Sequence, residues 1–313
     1  MPAPEALGEV GRRLGLELDV EVISSNEDLE SRMDLRGPYD LVCPSDYMVE
    51  RLGGGGRLAR LDLDRLPSLG NLEPWVLGRP HDPEGARSVP LAFGTTGYLY
   101  DRSRVGDQDG WDALFDPMEG VPVGMLSEVR EVIGAALIAT GHSPNETAQA
   151  ALSQARGLLE AQARSVVRYS SDDFVGPVAH GDVAVHHAWN GPSSVAVRAH
   201  ERLRYVVPRE GAVLWITTGA VPVDAPNPVD AHAVLENLLH PEVARPTVER
   251  YGYSTPNGAA RRLLPPELEE DPVLFPDAGV LGRCEAVRDV GPEGLRRLEE
   301  LWSGIFPEGD DGP

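Results

Sequence analysis

The chain has no lysine. All 28 basic side chains are arginine, set against 50 acidic residues and a formal charge of −22. Phosphate would be repelled by such a surface, so nucleic acid is excluded as a partner. Most of the acidic charge is read as a solvated face, although it also suits a cationic ligand. Cysteine is scarce: Cys43 and Cys284 alone make neither a disulfide framework nor a metal cluster, though one disulfide stays open. No apolar stretch approaches the ~20 residues that span a bilayer. Met1 is followed by Pro2-Ala3-Pro4, with no charged region or apolar core of a signal peptide. Catalytic signatures are missing too. There is no GxSxG elbow, no HExxH and no cofactor fingerprint, and Gly53–Gly56 lacks both phosphate-loop spacings. Glu128 and Glu131 could form an acid/base pair, but no nucleophile or oxyanion site accompanies them. No enzyme, no cofactor and no metal are expected.

Aromatic residues make up only 6% of the chain, so their placement is informative. Tyr47 (in Pro44-Ser45-Asp46-Tyr47), Trp189 (before Asn190-Gly191), Trp215 (before Ile216-Thr217-Thr218) and Tyr253 (before Ser254-Thr255-Pro256) each fall where an apolar run meets turn residues. Ligand contacts of α/β proteins cluster at such strand ends. Each tryptophan could equally be a core residue of its strand. Glu128 and Glu131, three apart, share one face of a helix start. The helix dipole alone would favour acids there. Their place just after the strand ending at Leu126-Ser127 adds the ligand reading. Aromatic walls with paired carboxylates hold organic cations. His186 and His187 point to opposite faces of a strand, so they are read as packing or surface residues and not as metal ligands.

Periodicity predicts a helix over Pro4–Leu14, a strand over Leu18–Ile23, and a helix to about Leu35 capped by Ser25 or Asn26. A strand follows over Tyr39–Cys43, then a helix after Ser45 and a flexible glycine loop at 53–56. Extended runs at Ser88–Tyr100, Gly120–Leu126, Val166–Ser170, Val183–Trp189, Tyr205–Val207 and Val213–Val221 alternate with helices over about 128–140, 145–163, 230–239, 241–250 and 293–302. Recurrent β-α units with two breaks give an α/β chain of two lobes with a small-molecule cleft. The expected division is 1–94 with 216–261, and 95–215 with 262–313, with a disordered acidic tail at 307–313.

These pieces occur in the order found in the spermidine/putrescine-binding proteins, the extracytoplasmic receptors of polyamine ABC importers, and the chain resembles them over nearly its whole length. The carriers are Tyr39-Asp40-Leu41-Val42-Cys43-Pro44-Ser45-Asp46-Tyr47, Arg130-Glu131-Val132, Gly181-Asp182-Val183 leading to Trp189-Asn190-Gly191, and Gly252-Tyr253-Ser254-Thr255-Pro256-Asn257 with Ala259-Ala260-Arg261. Phe275-Pro276-Asp277-Ala278 and Asp289-Val290-Gly291 add to them.

The resemblance implies a two-lobed periplasmic-binding-protein fold (type II). Each lobe is a mixed sheet flanked by helices, and crossing hinge strands join the two. It implies a monomer that closes on a polyamine, hands it to the membrane permease of an ABC importer, and works in the periplasm or outside the cell on a membrane anchor. Ser45 and Tyr47 become first-lobe contacts, Glu128 and Glu131 the carboxylates, and Trp189, Trp215 and Tyr253 the aromatic walls. Departures are visible. Glu128 stands where the family often has Asp. Thr217 stands where it carries an amine-gripping Asp, Val287 replaces a Gln, and Ala286 replaces an aromatic. Two matched carboxylates suit a putrescine-like dication better than a trication. A different small amine or amino acid derivative, or a sensory receptor that docks on a signalling protein, are the alternatives. Family members also have a strand and an Asn-Trp-x-(Asp/Glu)-Tyr-like segment ahead of the stretch that starts here. Met1 is therefore expected to be an internal methionine or the edge of a trimmed chain.

Overall fold

The computed structural model describes residues 4–23 and 25–305. The tail expected at 307–313 lies outside them. The chain forms two compact units: Met1–Phe93 with Trp215–Glu270, and Gly94–Leu214 with Asp271–Pro313.

In the first unit, helix α1 (Pro4–Leu14) has the predicted bounds. Its Ala6 and Val10 are buried against Val234, Leu238 and Val243. Helix α2 (Asn26–Leu35) is capped by Ser25, whose Oγ accepts from the Asp28 backbone N–H at 3.0 Å. Helix α3 (Asp46–Gly54) starts after an extended Ser45. Its Met48, Val49 and Leu52 are fully enclosed and pack with Leu29, Val42, Leu58 and Ala220. Burying three such side chains stabilises the α2–α3 corner by about 1.5–3 kcal/mol each. Gly53 and Gly54 belong to the last turn of α3 and Gly55 caps it, so the expected flexible loop shrinks to its final residues.

The strands expected at Leu18–Ile23 and Tyr39–Cys43 do not form as ladders. Residues 16–23 have no strand partner among the described residues, and Val20 and Val22 are exposed. Among the described residues, 39–43 form a single bridge, Val42↔Ala220. Alternation alone cannot make a strand without a neighbouring edge to bond. An open groove of about 780 Å³ runs between α1 and residues 16–22. None of the predicted site residues lines it.

Among the described residues the strands are β1 (Val89–Asp101), β2 (Val123–Met125), β3 (Val166–Tyr169), β4 (Val185–Trp189), β5 (Leu203–Val206), β6 (Val213–Gly219) and β7 (Glu285–Ala286). They form one mixed sheet in the order β3-β2-β4-β1-β6-β7, with β5 also on β1. Within the second unit, β4 runs antiparallel to β1 and parallel to β2, which sets Trp189 opposite Thr96 and Tyr98 opposite His187. Gly124 on β2 is required by packing: a Cβ there would lie 2.2 Å from Cδ2 of the buried His186.

Helix α4 (Val129–Ala139) follows β2, and its Val132 to Ile138 are buried. The next helix begins at Gln149, later than expected, because Glu146 accepts from the N–H groups of Thr147 and Ala148 and turns the chain first. Asn190-Gly191, read as turn residues, open a helix that runs Asn190–Ala199 with Pro192 in its first turn, where proline lacks no bond it could have made.

Candidate functional site

The predicted residues fall into two groups, one on each unit. In the first unit, Ser45 and Tyr47 lie at the start of α3, and Trp215 and Thr217 lie on β6. Ser45 pairs with Thr217 across an antiparallel bridge. Thr218, next along β6, donates to the Pro44 carbonyl from both its backbone N–H and its hydroxyl, at 2.9 Å each. The Trp215 and Tyr253 rings meet edge-on, with centroids 6.0 Å apart. Burial raises the Tyr253 phenol above its ordinary range, so it remains a neutral hydroxyl. The indole Nε1 of Trp215 is enclosed and has no hydrogen-bond partner.

Solvent access distinguishes these side chains from their sequence neighbours. Ser45, Tyr47, Trp189, Trp215, Thr217 and Tyr253 are each half-buried and each flanked on both sides by buried residues. Tryptophan is often part-exposed even at the edge of a core, so the exposure of Trp189 and Trp215 fits a strand-end position without excluding packing.

In the second unit, Glu128 is the N-cap residue of α4 and makes no side-chain cap. Glu131 lies one turn on, and its Oε1 accepts from the Trp189 indole N–H at 3.3 Å. Its Oε2 is out of solvent, and the Thr96 hydroxyl is the neutral donor beside the carboxyl, short of a full hydrogen bond to Oε2. Burial pushes the Glu131 carboxyl up to about 7, and the neighbouring Glu128 charge raises it further. Thr96, Trp189 and the Arg130 charge pull the other way. The Arg130 guanidinium is held elsewhere, donating to Asn145 Oδ1 at 3.1 Å and to the Arg288 carbonyl at 3.2 Å. Phe174 packs edge-on against Trp189 with centroids 5.7 Å apart, which fixes the indole plane. Val287 and Ala286, at the end of β7, are buried apolar residues.

A family model described as "Bacterial extracellular solute-binding protein" matches residues 15–276. The chain belongs to this family. Among relatives of this solute-binding protein, the spermidine/putrescine-binding periplasmic protein of Salmonella typhimurium is 32% identical, over 92% of this chain and 84% of its own. The putrescine/cadaverine-binding protein of Pseudomonas aeruginosa is 28% identical, over 97% and 90%. The solved spermidine/putrescine ABC transporter substrate-binding protein of Streptococcus pneumoniae superposes with a TM-score of 0.86 at 28% identity, covering 97% of this chain and 95% of that one. The fold is thus the two-lobed periplasmic-binding-protein fold expected from the resemblance.

Several polar residues of this solute-binding protein escape a reading of the sequence. Asn26 reads in the sequence only as an alternative helix cap, and Glu27 carries no signal of its own. Ser25 does the capping, which releases the Asn26 carboxamide to bond Ser45 and the Glu27 carboxylate to bond Tyr47. A surplus of capping residues was the available signal. Thr96 sat unremarked in Gly94-Thr95-Thr96-Gly97, yet it faces Trp189 in the register. His186 and His187 are packing residues: both are fully buried, His186 beside Phe174 and His187 beside Trp111. Burial holds their imidazoles down at about 4 and about 3, so both are neutral at pH 7. Cys43 and Cys284 are free thiols. Among the described residues no group of His, Cys, Asp and Glu could hold a metal ion, and no helix is long and apolar enough to cross a membrane.

Proposed function

We propose that this solute-binding protein captures a polyamine, with a putrescine-like dication favoured over spermidine, and delivers it to the membrane permease of an ABC importer. The supporting observation is Glu131: a carboxylate at a helix start whose Oε2 is out of solvent and has no cationic hydrogen-bond partner, the Trp189 indole and the Thr96 hydroxyl being the neutral donors beside the carboxyl. An ammonium supplies that partner and removes the cost of an uncompensated buried carboxylate. The indole edge-packed by Phe174 offers a ring face, worth roughly 0.5–2 kcal/mol to a cation. Methylenes of the ligand pack on Trp215 and Tyr253. The names of the relatives agree: each is described as binding spermidine, putrescine or cadaverine.

Ser45, Tyr47, Glu128, Glu131, Trp189, Trp215, Thr217 and Tyr253 are the proposed contacts. With no carboxylate at Thr217, the enclosed Glu131 and its neighbour Glu128 suit two charges better than three. The protein is proposed to act outside the cytoplasm as a monomer and to catalyse no reaction, since none of these residues is an activated nucleophile.

Calorimetry with putrescine, spermidine and spermine tests the reading. Binding of putrescine tighter than spermidine is expected. No heat with any of the three at micromolar protein overturns the assignment.

A further inference from the structure

The first-unit group raises a problem of charge. Ser45, Tyr47, Trp215, Thr217 and Tyr253 contain no carboxylate. The carboxylate between them in sequence, Asp46, is buried and accepts from the Tyr47 backbone N–H at 2.9 Å, so an ammonium resting among the five side chains would meet their hydroxyls and ring faces. Hydroxyls cannot neutralise it, and a cation removed from water without a counter-charge is costly.

The start of α2 supplies what is missing. Asn26 and Glu27 form a bracket around the start of α3. The Asn26 Oδ1 accepts from the Ser45 backbone N–H at 3.0 Å, and its Nδ2 donates to the Ser45 hydroxyl oxygen. The next side chain, Glu27, accepts the phenolic proton of Tyr47 at 2.9 Å. This sorts the two hydroxyls by polarity. Ser45 receives a hydrogen bond and keeps its own proton to donate. Tyr47 commits its single O–H to Glu27, so its oxygen can only accept from a third group. A carboxylate behind a phenol also makes that oxygen a stronger acceptor, because linked hydrogen bonds polarise one another.

We propose that Glu27 is a specificity-determining residue, serving the second ammonium of the ligand through Tyr47 in place of the acid that Thr217 lacks. The inference rests on the polyamine reading above. It assigns to Glu27 a positioning and charge-relaying role, with Tyr47 as the atom in contact. A ligand with a neutral or apolar second end gains nothing from this arrangement, whereas a diamine does.

The test compares putrescine with n-butylamine, a monoamine of the same chain length, by calorimetry on the full chain. Glu27→Gln should weaken putrescine about tenfold, the effect of one charge near a half-exposed ammonium, and leave n-butylamine within about twofold. Tyr47→Phe should cost putrescine a similar factor, and the double variant should cost little more than either single one, because the two act in series. Glu27→Asp should restore part of the loss. A purely structural role would weaken both amines equally, and that result overturns the proposal. So does putrescine affinity unchanged within twofold in Glu27→Gln while the wild-type chain binds. If the wild-type chain binds neither amine, the polyamine reading itself falls and this inference with it. The two failures are therefore told apart by the wild-type titration. Thermal unfolding of each variant confirms that Glu27, exposed on the first turn of α2, is not needed for folding.

Discussion

Binding of an ammonium beside Glu131 should expel a proton. With its carboxyl pushed up to about 7, Glu131 is about half protonated at pH 7 and about nine-tenths protonated at pH 6. A cation bonded to Oε2 favours the ionised form and returns the group to the ordinary carboxylate range. Each ligand bound should then release about 0.5 proton at pH 7, about 0.9 at pH 6 and about 0.1 at pH 8. The same linkage fixes the affinity. Below pH 7 it should fall about tenfold per unit, so binding at pH 5 should be about 50-fold weaker than at pH 7. Calorimetry in two buffers of different ionisation enthalpy measures the proton count directly, since the observed heats differ by that count times the enthalpy difference. Glu131→Gln should abolish the buffer dependence and lose at least about 3 kcal/mol of binding, the scale for removing one partner of an enclosed ion pair. Buffer-independent heats at pH 6, or an affinity that stays flat between pH 5 and 8, would refute the placement of the ammonium at Glu131.

The same residue should trade stability for binding. Its folded pKa lies above the ordinary value of 4.5, so its contribution is fully present below pH 4.5 and is lost as pH rises through about 7. Glu131→Gln should therefore stabilise the ligand-free protein at pH 8, by at most about 3 kcal/mol, in denaturant melts. His186 and His187 work in the opposite direction. Their folded values are depressed below 6.5, so their contribution is present above 6.5 and lost as pH falls. From pH 7 to 5 each should cost about 2 kcal/mol, and His187→Leu should flatten the acid limb of a stability–pH curve. Gly124→Ala should cost about 1–3 kcal/mol through its collision with the His186 ring, and His186→Ala in the same chain should recover part of the loss. Thr217→Asp should bring a carboxylate opposite Ser45 and strengthen spermidine more than putrescine, by about tenfold in calorimetry.

Regular elements were legible in the sequence wherever a local pattern suffices to form them. α1 has the predicted bounds because its apolar face repeats at helical spacing, and α2 starts at its capping serine. β4 ends at Trp189 as its apolar run does. Elements that depend on a partner were not legible. Leu18–Ile23 alternates like a strand, yet pairing is a property of two segments, and none of the described residues bonds it. Asn190–Ala199 hid behind Gly191-Pro192, which reads as a turn unless proline is recognised in a helix's first turn. Among the candidate residues, a helix start and a strand end mark Glu131 and Trp189 singly, while the hydrogen bond between them spans 58 residues and has no local signal. The Glu27–Tyr47 and Asn26–Ser45 bonds span about twenty residues of sequence and leave no periodic trace.

The division of the chain into units built from non-adjacent segments has a consequence for how it is made. Leu61, Leu66, Leu72 and Val76 share one cluster with Val221, Ala231, Leu235 and Leu239. The first 93 residues therefore leave the ribosome well before the residues that cover their apolar side chains. At about 5–20 residues per second, that interval lasts on the order of ten seconds. During it the nascent segment exposes leucines that have no shelter, and neither unit can close in the order of synthesis. Folding must wait for the chain to be long enough to double back. Such a polypeptide is one that holding factors can keep open, and its yield should depend more on them than that of a protein whose domains finish one at a time.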